Sequence, residues 1–184
     1  SEIEIIDLLL ESLDLVGLTS SCLSLGRTEV LDEIIKDENL PEFKEKKLRE
    51  IISDKSESDL IEWSDTNKVD KKSLGKIITL MHSYGDIQCL EKISSFSKLA
   101  KNSVENLRAI TEKISHENIH IDMTDFPGFN YHQGLVFSVH SQNFGFAIAN
   151  GGQYSYQKNS EEKRSAIGFD IDLISLLNIK ENDK

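Results

Sequence analysis

The chain reads as an α+β domain, with a helical portion over residues 1–115 and an antiparallel sheet portion with a C-terminal helix over residues 116–184. Three observations carry this reading. Apolar residues recur at helical spacing in the first portion, as in Ile3, Ile6, Leu9, Leu10, Leu13 and Val16. From His116 onward the period falls to two, with Ile119, Ile121 and Met123 alternating with polar residues. Leu135, Phe137 and Val139 repeat that alternation, and so do Phe144, Phe146 and Ile148. The helices come first and the strands afterwards, without the regular βα alternation of a parallel sheet.

Each element has its own signal. Gly17 stops the first helix. Cys22-Leu23-Ser24-Leu25 alternates briefly and predicts one strand inside the helical portion. Thr28 is placed to cap a helix running to Lys36, with acidic residues in its first turn. Pro41 suits the start of the next helix, which extends to about Ser53. Ser56 and Asp59 form a capping pair before Leu60, Ile61 and Trp63. Asp70 caps a helix through His82, and Tyr84-Gly85-Asp86 breaks it. Asp86 is set to cap the following helix, and Ser103 the one that reaches Ile114. In the sheet portion, Ser141-Gln142-Asn143 predicts the turn of a hairpin. Tyr156 to Lys163 reads as a polar loop, Ser165 to Phe169 as a further strand, and Leu173 to Leu177 as the start of a helix.

The 184 residues suffice for one domain with a real core, and 32 acidic against 21 basic residues give a formal charge of −11. That balance lacks the electrostatic footprint of a stand-alone nucleic-acid binder. No apolar run is long enough to span a bilayer, and Ser1-Glu2-Ile3-Glu4 has no basic leader region. Cys22 and Cys89 read as reduced thiols of a cytoplasmic protein. The chain opens into a helix without an initiator methionine, which suggests a fragment of a longer protein.

Several patterns could carry chemistry. His116-Glu117-Asn118-Ile119-His120 matches the H-E-x-x-H zinc signature, which needs a helix to bring two imidazoles together. Here it straddles the change of period, and a strand would hold the two rings roughly 13 Å apart at about 3.3 Å per residue. No metal is expected there. Asp170 and Asp172 could share one strand face and hold Mg²⁺, or form a solvated helix start. Gly151-Gly152 lacks the spacing of a phosphate loop and fits a close backbone approach, a bulge or a hairpin. No Ser/His/Asp or Cys/His order supports nucleophilic catalysis.

The segment Phe126-Pro127-Gly128-Phe129-Asn130-Tyr131-His132-Gln133-Gly134-Leu135-Val136-Phe137, followed by Ala149-Asn150-Gly151-Gly152-Gln153-Tyr154, resembles the two histidine-recognition segments of the histidyl-tRNA synthetase fold. The synthetase pattern carries arginines where this chain has Pro127, Gly134 and Gln153. The pairing of Tyr131 with His132 and the ending Gly134-Leu135-Val136-Phe137 are closer to the regulatory subunit of ATP phosphoribosyltransferase, a synthetase paralogue. Arg164-Ser165-Ala166-Ile167-Gly168-Phe169-Asp170-Ile171-Asp172-Leu173 resembles a further stretch of that family, and Leu23-Ser24-Leu25-Gly26-Arg27 with the helices around it a more weakly marked one. Two departures stand out. Gln153 and Ser155 replace the arginine and aspartate of the family's second segment. Ile174 and Ser175 occupy the glutamate and arginine positions of the third class-defining motif.

The resemblance implies part of a class II synthetase-like domain that is not itself an enzyme and needs no cofactor. Its partner would be the short-form catalytic subunit of ATP phosphoribosyltransferase in a hetero-octamer. The full-length protein would also self-associate as a dimer, with histidine as feedback effector and no membrane or nucleic-acid partner. Matching positions place any histidine site at His132, Gln133, Gly151, Gly152 and Tyr154. Two other readings stay open: a divergent histidyl-tRNA synthetase fragment, and a helical adaptor unrelated to histidine.

Overall fold

In the computed structural model, residues 1–18, 20–124, 132–141, 144–159 and 162–182 are described. A six-stranded sheet runs through the molecule in the order β2-β3-β1-β4-β5-β6. The strands are β1 (Ser21–Arg27), β2 (Tyr84–Gly85), β3 (Ile119–Asp122), β4 (His132–Ser141), β5 (Ala147–Asn159) and β6 (Glu162–Ile171). The helices are α1 (Glu2–Leu15), α2 (Thr28–Asp37), α3 (Glu42–Ser53), α4 (Glu57–Asn67), α5 (Lys71–Met81), α6 (Lys98–Thr111) and α7 (Leu173–Asn182). Two 3₁₀ turns, Ile87–Leu90 and Ile93–Ser95, link α5 to α6.

The α+β class is as expected, with one difference. The sheet is mixed, because β1 runs parallel to β3 while its other neighbour, β4, is antiparallel. The strand expected inside the helical portion is therefore the centre of the sheet. Its inward side chains Leu23 and Leu25 are fully buried, together with Phe137 and Val139 of β4. α2 packs on β4 and α6 on β1, so the helices cover this apolar face.

Local signals hold where a short polar side chain has nothing else to do. Gly17 adopts φ 86° after α1. Asp70 accepts from the backbone of Lys72 and Ser73 at the start of α5. Asp86 accepts from Gln88, although it opens a 3₁₀ turn and not an α-helix. They fail where the side chain is engaged elsewhere. Thr28 makes no cap, because its hydroxyl accepts the Gly134 N–H at 3.0 Å. Ser56 stands at the cap position of α4 without a capping bond. Ser103 lies inside α6 and donates to Glu29 at 2.8 Å, while Ser97 caps that helix.

Two stretches of the sheet portion also differ. Phe144 and Phe146 precede β5, and their rings meet edge to face at 6.1 Å, with Phe146 76% exposed. The expected polar loop from Tyr156 to Lys163 is instead laddered: β5 and β6 pair from Ala149–Ile171 out to Asn159–Glu162. The stretch Tyr156-Gln157-Lys158-Asn159 has no alternating aliphatic residues, so no period-two hydrophobic signal marks it. Residues 142, 143, 160 and 161 lie outside the described residues, and with them most of the expected Ser141-Gln142-Asn143 turn.

Candidate functional site

Side chains one residue out of phase with the buried apolar set point to the other face of the sheet. There the register lines up His120, Ser24, Ser138, Asn150 and Asp170, one from each of β3, β1, β4, β5 and β6. Cys22 and His140 form the next cross-strand pair. In the neighbouring register row on the other side stand Gly26, Val136, Gly152 and Gly168. Three of these four lack a side chain, but Val136 is 1% exposed and its Cγ2 lies 3.3 Å from an ideal Cβ at Gly26, so the row is filled over β1 and β4 and forms a trough that opens toward Gly168 on β6. At one end the Asp122 carbonyl closes over Gly26, where a Cβ would come within 2.3 Å of it. At the other end nothing lies within 4 Å of a Cβ at Gly168.

Of the sequence-predicted site residues, His132, Gln133, Gly152 and Tyr154 lie on β4 and β5 in or beside this row, and Gly151 does not face it. His132 is the cross-strand partner of Tyr154, and Gly152 is the partner of Val136. Between these pairs β4 spends four positions against two on β5, so a β-bulge separates them. Gly134 sits in the bulge at φ 110°, a conformation that favours glycine. The Gln153 amide fills the space where a side chain at 134 would stand, with Oε1 2.2 Å from an ideal Cβ. Tyr154 is 40% exposed on the trough face. Gln133 belongs to β4, beside the bulge. Gly151 points the other way and serves packing: a Cβ there would approach the Phe137 ring at 2.3 Å. Pro127 and Tyr131 lie outside the described residues.

The remaining candidates separate. His116 precedes β3 and its Nε2 meets the Ser21 carbonyl oxygen at 3.0 Å, whereas His120 lies within β3 against the Tyr84 ring. The H-E-x-x-H stretch is thus not helical, and its two imidazoles have different partners. Asp172 accepts the Ile174 and Ser175 N–H groups at 3.0 and 3.1 Å and the Ser175 hydroxyl at 2.6 Å, so it caps α7 and does not face a ligand with Asp170. Those bonds, the Ser175 hydroxyl first, hold its carboxyl below the usual range. Among the described residues no three His, Cys, Asp or Glu side chains gather as a metal site.

Cys22 gains in space the histidine neighbour it lacks in sequence, His140. Burial pushes its thiol up, so it stays protonated and is a poor nucleophile. His140 Nε2 lies 2.9 Å from the Ser138 hydroxyl. A separate cleft of about 420 Å³ is lined by Thr79, His82, Ser83, Gln88 and Cys89. Burial and the nearby Asp86 and Asp122 push the Cys89 thiol up to about 11. Ser24, Ser138, Asn150 and Gly168 were not singled out from the sequence. Their signal was the polar phase of the same alternation that marked the core.

A family model described as histidyl-tRNA synthetase matches residues 1–176. The ATP phosphoribosyltransferase regulatory subunit of Saccharophagus degradans is 27% identical over 185 residues, covering 96% of this chain and 47% of that protein. The chain therefore spans about half the length of the curated relatives it matches. An ATP phosphoribosyltransferase regulatory subunit/histidyl-tRNA synthetase from Bacillus halodurans superimposes with a TM-score of 0.80 at 18% identity, over 96% of this chain and 48% of that one. The ATP phosphoribosyl transferase (HisG:HisZ) complex from Thermotoga maritima contains a chain matching with a TM-score of 0.70 at 18% identity, over 92% of this chain and 60% of that one. No helix among the described residues is long and apolar enough to cross a membrane.

Proposed function

The chain belongs to the histidyl-tRNA synthetase family, and we propose that the protein containing it is a non-catalytic regulatory subunit of ATP phosphoribosyltransferase. One observation carries this choice over an aminoacylating enzyme. At Gly134, where synthetases carry an arginine, the backbone φ of 110° favours glycine, and the Gln153 amide occupies the space beside it. A site that activates an amino acid needs cations on developing negative charge, and losing one such donor typically costs about 10²–10³ in rate. Ser175, at the position of another of those arginines, donates its hydroxyl to Asp172. The names of the relatives and of the Thermotoga maritima complex support the same reading.

In this reading the full-length protein is cytoplasmic and dimerises. It joins short-form catalytic subunits in a hetero-octamer for the first step of histidine synthesis, with no nucleic acid and no cofactor of its own. The candidate histidine site is at His132, Gln133, Gly152 and Tyr154, while Gly151, matched to the same segment, packs on Phe137 from the other face. Tyr154 offers an aromatic ring and a hydroxyl there, and Gly152 lets a small ligand approach the backbone.

Reconstitution tests the proposal. Full-length protein added to a short-form catalytic subunit is expected to raise its rate and confer sensitivity to histidine. An unchanged rate and unchanged sensitivity would reject it. Histidine-dependent pyrophosphate exchange by the full-length protein would favour a divergent synthetase instead. Calorimetric titration with histidine, wild type against Tyr154→Ala, addresses the site. Undiminished binding in the variant would move the effector elsewhere.

A further inference from the structure

Helix α4 carries a buried hydroxyl that the fold does not use. Ser64 is 1% exposed, and its Oγ has no hydrogen-bond partner. Other helical hydroxyls are satisfied locally: those of Ser12, Thr66 and Thr79 donate to the carbonyl four residues earlier. A buried polar group without a partner is rare and calls for an explanation. Ser64 lines a cleft of about 380 Å³ between α4 and α5, within the roughly 300–1,000 Å³ of small-ligand pockets. Lys68 ends α4 in the left-handed region at φ 58°, and Lys71 is the first residue of α5, so both lysines border the same cleft. Lys47, Lys55 and Lys101 each hold a carboxylate, whereas among the described residues Lys68 and Lys71 hold none. Leu74 and Ile78 give the cleft an apolar side. Gly75 also lines it, and nothing lies within 4 Å of a Cβ there. A glycine inside a helix is less favourable than alanine, and no packing contact requires this one. Its bare backbone leaves a floor that a ligand can approach closely.

We propose that the α4–α5 cleft is a second ligand site, and that it takes a nucleoside monophosphate. The lining sets the chemistry. Two lysines against one carboxylate, Asp65, make the cleft positive in a chain of net charge −11. Lysine acts on a phosphate as a point charge, and among the described residues no arginine lines the cleft to grip a carboxylate in two places. The Ser64 hydroxyl supplies a further donor, and a ligand acceptor would relieve its unpaired state. Asp65 can accept from ligand hydroxyls of the kind a ribose offers. Leu74, Ile78 and the bare Gly75 backbone suit the flat face of a base. The cleft lies in the helical layer and shares no residue with β4 or β5, so the inference does not rest on the regulatory reading or on the histidine site.

Calorimetric titration of the full-length protein with adenosine monophosphate, adenosine and inorganic phosphate tests the proposal. The monophosphate is expected to bind with a Kd below about 1 mM, and adenosine and phosphate each at least about tenfold more weakly. Ser64→Ala is expected to weaken the monophosphate about fivefold or more, without lowering the unfolding midpoint, because the hydroxyl it removes has no partner in the fold. Lys71→Met is expected to weaken it about tenfold or more. Gly75→Leu fills the floor and is expected to abolish binding, with the midpoint at or above wild type, since leucine is the better helix former. No saturable heat up to about 5 mM monophosphate overturns the proposal. Equal affinity for phosphate alone overturns it, because the apolar floor would be unused. Equal affinity for adenosine does the same, because the lysines would be unused. Binding that survives both Ser64→Ala and Gly75→Leu places the nucleotide elsewhere and also overturns it. If Gly75→Leu does not fold, Ser64→Ala and Lys71→Met decide.

Discussion

The two faces of the sheet share every ladder bond and differ in everything else. On one face Leu23, Leu25, Phe137 and Val139 are at most 1% exposed and lie under helices. One residue along each strand, the other face offers Ser24, Ser138, His140 and Asn150 beside a row of glycines. Burial of the first face stabilises the fold, since each large apolar side chain removed from water contributes about 1.5–3 kcal/mol. The second face is shielded too, with Ser24 7%, Ser138 4% and Val136 1% exposed, but it buries fewer large apolar side chains and so contributes less to stability. Substitutions that strike the first face should therefore change stability more than those that strike the second.

The largest effect is expected at Phe137. Truncation to alanine removes a ring that is 1% exposed at the centre of β4. Phe137→Ala should cost about 3–5 kcal/mol in urea unfolding. Its neighbour Ser138 faces the trough side and is bonded to His140. Ser138→Ala should cost about 1 kcal/mol. Equal losses at the two positions would erase the distinction between the faces.

Two glycines sharpen the contrast. A Cβ at Gly151 would lie 2.3 Å from Phe137 Cζ and 2.8 Å from the Gly168 carbonyl oxygen, while a Cβ at Gly168 would meet nothing within 4 Å. Gly151→Ala should destabilise by about 1–3 kcal/mol. Gly168→Ala should stay within about 0.5 kcal/mol in the same unfolding assay. Gly168→Leu should leave the unfolding midpoint near wild type and weaken histidine binding by about tenfold, because its side chain would rise into the open end of the trough. Retained binding in Gly168→Leu would place the ligand elsewhere.

How much of this was legible in the sequence follows from the same contrast. The apolar face announced itself through Leu135, Phe137 and Val139, and the caps at Asp70 and Asp86 were local enough to read. The pairing of β1 with β3 was not, since Leu23 meets Ile119 across the whole helical layer. The ladder from Tyr154 to Asn159 carries no alternating aliphatic residues and so leaves no hydrophobic rhythm to read. The bulge at Gly134 appears only when β4 is laid against β5. Thr28 and Ser103 were misread as caps because their true partners, Gly134 and Glu29, are distant in sequence. For the candidate site, the motif brought out His132 and Tyr154, whereas Asn150 and Gly168 needed the register.

The smallest effect expected is at the end of β6, where the sheet hands over to α7. Asp172 donates its own N–H to the Ile148 carbonyl at 2.8 Å and accepts three bonds at the first turn of the helix. The bonds from Ser175 and Ile174 favour the ionised carboxylate and lower its pKa below the ordinary 3.8. A carboxyl depressed in the folded state contributes stability that is present above its unfolded value. The contribution disappears as pH falls through the folded value. Asp172→Ala should therefore speed amide exchange at Leu176, on the buried side of α7, at neutral pH. The gap between variant and wild type should close once the medium is more acidic than the ordinary carboxylate value. A gap of the same size at both pH values would mean that Asp172 holds α7 through hydrogen bonds its neutral carboxyl keeps and not through its charge, since alanine retains the backbone N–H.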